Sequence, residues 1–261
     1  GQSGFVTVIS GVRLNTNNQM LSLTSDDFDI EALGIVSSGT ASMSLTSWRS
    51  NLQGYLGNVT SLSGSGFKVS NMELQRLSTV AGLTVGDDRC GNLNVAGLTE
   101  VGTSTVATIT LQATKSGRSV QFKDKVSSFN KGLTIQAAGG ILFLEKVVTK
   151  AEANLLNAGT GSLIVKPTKS LTTTNQNLKI TMDGAAIEGY ISTGSAGTII
   201  TCATPGRSLA FGEATIGQLA LDRSEIGYLL MSGITIGGPT CGSMMLTNVK
   251  SADSNGITDV L

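Results

Sequence analysis

A long-period internal repeat limits what this chain can fold into more than any other feature of it. Ser70-Asn-Met-Glu-Leu-Gln-Arg-Leu77 is followed by Ala81-Gly-Leu-Thr-Val-Gly86 and Cys90-Gly-Asn-Leu-Asn-Val95. The same phrases return as Asp222-Arg-Ser-Glu-Ile-Gly-Tyr-Leu229, Ser232-Gly-Ile-Thr-Ile-Gly237 and Cys241-Gly-Ser-Met-Met-Leu246. Upstream, Gly4-Phe-Val-Thr-Val8 matches Gly161-Ser-Leu-Ile-Val165 at an offset of 157, which falls to 152 at Glu73 and Glu225 and to 151 at Cys90 and Cys241. Small deletions in the second copy explain the drift. Residues 1–157 are thus one long repeat, and 158–261 a second, incomplete one continuous with it. The reading expected from this is a piece of a longer array.

Within each copy the pattern is finer. Phe5-Val-Thr-Val-Ile9, Met20-Leu-Ser-Leu-Thr24, Gly82-Leu-Thr-Val85, Val106-Ala-Thr-Ile-Thr-Leu111 and Gly132-Leu-Thr-Ile135 place apolar residues two apart, with Ser, Thr or Asn between. That alternation marks strands with one buried face. Gly, Asn and Asp fill the linkers. An antiparallel sandwich and a parallel β-helix both accommodate strands at this spacing. The irregular linkers and the scarcity of aromatics favour the β-helix, because a narrow interior takes small aliphatic side chains. The predicted fold is therefore all-β, a right-handed parallel β-helix (β-solenoid) with irregular loops. Each long repeat adds one short helical turn: Ser70-x-x-Glu73 and Asp222-x-x-Glu225 are capping boxes at the same place in the two copies.

Composition narrows the function. With 18 basic and 18 acidic residues, the chain has no charge imbalance that would draw it to nucleic acid. It contains no histidine, the commonest general base and transition-metal ligand. Asp26-Asp27 with Asp29, and Asp87-Asp88, lack the ligand spacing of a calcium loop and read as solvated turns. Lys123-Asp-Lys125 and Glu145-Lys146 are fragments of what a polysaccharide lyase would need, without a composed site. No cofactor is expected. Nor is a membrane span, because no apolar run approaches the length required. The Thr residues are too unevenly spaced for an ice-binding ladder. Of three cysteines, Cys90 and Cys241 are repeat equivalents, so they would not meet within one solenoid; they are candidates for crosslinks to neighbouring molecules. Cys202 reads as a buried small hydrophobe. Asn58-Val-Thr60 is an N-glycosylation sequon, and Trp48, Tyr55, Tyr190 and Tyr228 are the aromatics to weigh as glycan contacts.

The phrases Glu73-Leu-Gln-Arg-Leu77, Thr105-Val-Ala-Thr-Ile-Thr-Leu-Gln-Ala-Thr114, Ser128-Phe-Asn-Lys-Gly-Leu-Thr-Ile135 and Ile187-Glu-Gly-Tyr-Ile191 together resemble very long repetitive secreted proteins of filamentous-haemagglutinin type. That style is found in bacterial adhesins and in eukaryotic microalgae. The resemblance spans nearly the whole chain and rests on repeat style. It implies a β-helical rod, secretion to the cell surface, and a structural or adhesive role without catalytic residues. The expected function is a non-enzymatic segment of an extracellular fibre, surface appendage or wall layer, whose partners are copies of itself or neighbouring repeats. The alternatives are a glycan-binding adhesin and a β-helical polysaccharide lyase or hydrolase. A catalytic protein would show a carboxylate-bearing cleft in one copy that the other copy lacks.

Overall fold

The structure, a computed structural model, describes residues 4–58, 66–213 and 218–260. It is all-β, with 52% strand and 5% helix. Every strand pairing among the described residues is parallel. That pattern is incompatible with the hairpin-built sandwich considered from sequence, because short hairpin loops join antiparallel strands. Here each strand pairs with one lying roughly a circuit further along the chain. Leu21 pairs with Met43, Leu83 with Ile109, Thr134 with Leu155 and Leu178 with Thr198.

Between one strand of a row and the next, the chain visits two other rows. The first row holds Leu21–Thr24, Met43–Thr46, Leu83–Asp87, Ile109–Ala113, Leu133–Ala137, Asn154–Asn157 and Leu178–Met182. The second holds Gln53–Gly57, Leu93–Ala96, Val120–Phe122, Ile141–Phe143, Ser162–Val165 and Gly184–Ile187. The third is made of shorter pieces, among them Ile35–Gly39, Leu77–Thr79, Val147–Val148 and Ser170–Thr172. The long strand Tyr190–Cys202 serves two rows. Its residues 190–192 pair with Ser170–Thr172 and its residues 198–202 with Leu178–Met182.

One departure from this order occurs in both copies. Gly66–Val69 pairs with Gln53–Gly57 on the side away from Leu93–Ala96, so the chain steps back one level before continuing. Leu219–Asp222 does the same beneath Arg207–Gly212. These inserted strands account for the longer circuits from Met43 to Leu83 and from Gly197 to Gly233.

Alternation places the apolar residues of each strand in one core cluster that runs unbroken across residue 157, from Leu156 to Ala158 and Leu163. Two of its few aromatics stack in register: Phe122 and Phe143 are paired strand neighbours with ring centroids 5.0 Å apart. Corners repeat as well. Asn18 and Asn175 lie in the left-handed region, and each accepts through Oδ1 an amide from the same corner of the next circuit, Thr40 N at 2.9 Å and Ser195 N at 3.0 Å. Gly39 and Gly194, at φ +61° and +58°, leave room for those side chains.

Candidate functional site

Two short helices occupy the same place in the two copies. α1 (Asn71–Leu74) and α2 (Arg223–Gly227) follow the two inserted strands, and both keep the capping box. In the first, Ser70 Oγ accepts from Glu73 N at 3.2 Å, and Glu73 Oε2 accepts from Ser70 N at 2.7 Å. In the second, Asp222 Oδ1 accepts from Glu225 N and Glu225 Oε2 from Asp222 N, both at 2.8 Å. Each glutamate has a further task. Its other oxygen accepts the amide ending a strand one level below, Ile30 N at 3.4 Å for Glu73 and Ile187 N at 2.9 Å for Glu225. The box therefore ties the helix to the preceding level of strands as well as capping it. Burial raises the pKa of Glu225 above the ordinary carboxylate value.

A cleft of about 1300 Å³ opens beside α2, between Gly184–Ile187 and Leu219–Asp222. The corresponding strands of the first copy are joined by Asp27, whose Oδ1 accepts Lys68 N at 2.8 Å. Where the first copy has Asp27, Phe28, Asp29 and Lys68, the second has Gly184, Ala185, Ala186 and Ala220. Small residues thus widen the space between the strands. Glu188, Glu213, Asp222, Glu225 and Asp253 line it, with Arg223 and Tyr228. Asp222, Arg223 and Tyr228 replace Ser70, Asn71 and Arg76 of the first copy.

Each of these carboxylates already has a partner. Arg223 reaches Asp253 at 2.8 Å and Glu213 at 3.2 Å. Arg223 holds Asp253 below its usual pKa, and the Asn248 side chain, then Arg223, does so for Glu213. Glu188 meets Lys166 at 3.4 Å. Asp222 and Glu225 are engaged in the capping box. Among the described residues, no group of three or more His, Cys, Asp or Glu side chains is arranged to hold a metal ion.

The structure revises several expectations from sequence. Cys241 is joined to Cys202 in a disulfide with Cα atoms 5.4 Å apart, and Cys90 is a free, fully buried thiol. Cys90 and Cys241 are therefore not a recurring pair of exposed crosslinking groups. The physical difference is Cys202, which takes a corner position held by the buried Ser47 in the first copy. Cys90 instead donates to Gln112 O at 3.2 Å and Asp87 O at 3.3 Å, and burial raises its pKa.

Asp26 and Asp183 are buried, not solvated. Asp26 pairs with Arg49 at 3.0 Å and accepts Gly4 N; Asp183 pairs with Arg207 at 3.6 Å and accepts the amides of Ala203 and Thr204. These corner anchors look like ordinary turn aspartates in the sequence. Asp87 does cap an exposed turn, accepting the amides of Arg89 and Cys90. Glu145 is paired with Lys169 at 2.8 Å, and that hydrogen bond lowers its pKa.

The aromatic candidates separate. Trp48 is 68% exposed, and Tyr190 is exposed with Tyr228 against its edge at 5.3 Å. Tyr55 is buried, its hydroxyl donating to Gln53 Oε1, so it is withdrawn as a glycan contact. Asn58 is exposed, while Val59 and Thr60 of its sequon lie outside the described residues. No helix among the described residues is long and apolar enough to cross a membrane.

No family model matches the chain, no curated protein resembles it at a significant level, and no solved structure does. The comparisons identify no filamentous-haemagglutinin-type family.

Proposed function

We propose that this chain is a segment of a right-handed parallel β-helical rod, serving as a passive structural element of an extracellular fibre, surface appendage or wall layer. The observation that carries the reading is the ladder itself. Strands one circuit apart pair in parallel through the chain, and both insertions respect that stacking. Such a design adds length without a new core, since each circuit is buried by its neighbours. The Cys202–Cys241 disulfide supports an oxidising location outside the cytoplasm.

The cleft beside α2 gives the enzymatic alternative its one specific support, because the first copy lacks Asp222, Arg223 and Asp253 at the matching places. Its chemistry favours a structural part instead. A raised pKa suits a general acid, yet both Glu225 oxygens accept backbone amides, and Glu73 does the same work in the first copy. The test is electron microscopy of purified protein together with incubation on a panel of polysaccharides. Elongated particles or filaments with intact polysaccharide are expected. Compact particles that shorten a polysaccharide would overturn the reading.

A further inference from the structure

The outer face of the first row brings together side chains that the sequence scatters. Ser22, Ser44, Thr84, Thr110 and Thr134 are successive ladder partners and stand in one column. Their unequal intervals along the chain conceal this alignment. Gln112, Gln136, Asn157, Thr181 and Thr201 form a neighbouring column two residues along. Hydroxyls bond along the columns: Ser44 Oγ donates to Ser22 Oγ at 2.9 Å, and Thr181 and Thr201 share a bond of 3.0 Å.

Two adjoining concavities of about 270 and 210 Å³ lie on this face and share Leu155 and Lys179. The larger is hollow because Gly197 is paired with Gly233, so no side chain fills it. Leu155, Lys179, Ile199 and Thr235, successive partners that continue the first column, form its walls.

We propose that this groove binds an extended chain of a neutral polysaccharide. Charge is the first argument. Lys179 is the one ionic residue in the two columns, so a polyanion would find a single partner and a polycation none. Chemistry is the second. Gln136 offers a donor and an acceptor, and Asn157, whose Oδ1 accepts Gly159 N at 2.9 Å, offers its amide donors to sugar hydroxyls. Leu155 and Ile199, both nearly half exposed, offer apolar surface to the C–H faces of the rings. The binding goes beyond the passive rod, which does not require it.

The experiment is native electrophoresis through gels cast with soluble neutral β-glucan, xylan or galactomannan, and in parallel with alginate. Retardation by at least one neutral polymer is expected, and none by alginate. Gly197→Leu fills the hollow without displacing the backbone, since a Cβ there meets only Gly233 O at 3.6 Å. That variant, and the surface double variant Gln136→Ala with Asn157→Ala, should weaken retardation about tenfold, a loss typical of one or two hydrogen bonds. Trp48→Ala should not change it. Absence of retardation in every neutral gel, equal retardation in alginate, or retardation untouched by the double variant would each overturn the proposal. So would inhibition of ice growth without polysaccharide binding. If Gly197→Leu loses its native circular dichroism, the double variant decides.

Discussion

At the scale of single residues, the two capping glutamates do more for the fold than their exposed-looking sequence positions imply. Glu225 satisfies the amides of Asp222 and Ile187, and Ile187 is buried. Glu225→Ala should therefore cost about 1–3 kcal/mol, the penalty of orphaning a buried donor. Glu225→Gln, which keeps one acceptor oxygen, should cost less; urea unfolding of both variants measures this. The sign with pH follows from burial. Because the folded state raises the pKa of Glu225, the stability it lends is fully present below the unfolded glutamate pKa and is lost as pH rises through the folded value. The difference in unfolding midpoint between wild type and Glu225→Gln should thus be larger near pH 3 than near pH 7, values either side of the usual glutamate range of about 4.3. Glu145 has the opposite sign. Lys169 lowers its pKa, so its contribution is present above the unfolded value and lost as pH falls through the folded one. In the core, Phe143→Ala removes a ring stacked on Phe122 and should cost about 3–5 kcal/mol. The buried Asp26 and Asp183 show the limit of sequence at this scale. An aspartate inside a corner and one on a solvated turn have the same neighbours in the chain, and only the fold supplies Arg49 and Arg207.

At the scale of elements, the strands were legible and some of their connections were not. Alternation in Leu133–Ala137 or Ser162–Val165 announces a strand with one buried face, and the capping boxes announce both helices. The step back at Gly66–Val69 and Leu219–Asp222 leaves no mark in the sequence, because alternation reports which face is buried and not which neighbour is paired. The disulfide was hidden for a related reason. Comparing positions one repeat apart matched Cys241 with Cys90, whereas Cys241 meets Cys202, which lies 39 residues before it. Cys202→Ser with Cys241→Ser should destabilise the protein by about 2–4 kcal/mol. Hydrogen exchange should quicken first in 203–213 and 218–240, within the loop that the bond closes. Cys90 should stay unreactive to thiol reagents in the native state of either protein, because it is buried and its thiolate is disfavoured.

At the scale of the molecule, the long repeat predicted an all-β fold with recurring features, and parallel pairing agrees with the β-helical reading. The outer columns were illegible because circuits differ in length, so equally stacked residues are unequally spaced in the chain. The central claim is that successive circuits stack at a strand spacing throughout, and that is directly measurable. Spin labels are placed pairwise on the outer column, with Ser22 as the common site and Thr134, Lys179 and Thr235 as its partners. These lie four, six and eight ladder steps away. At about 4.8 Å per step, double electron–electron resonance should return backbone separations of about 19, 29 and 38 Å, rising linearly with step number. Distances that fail to grow with the number of steps, or a Ser22–Thr235 separation no longer than Ser22–Thr134, would contradict the stacked rod.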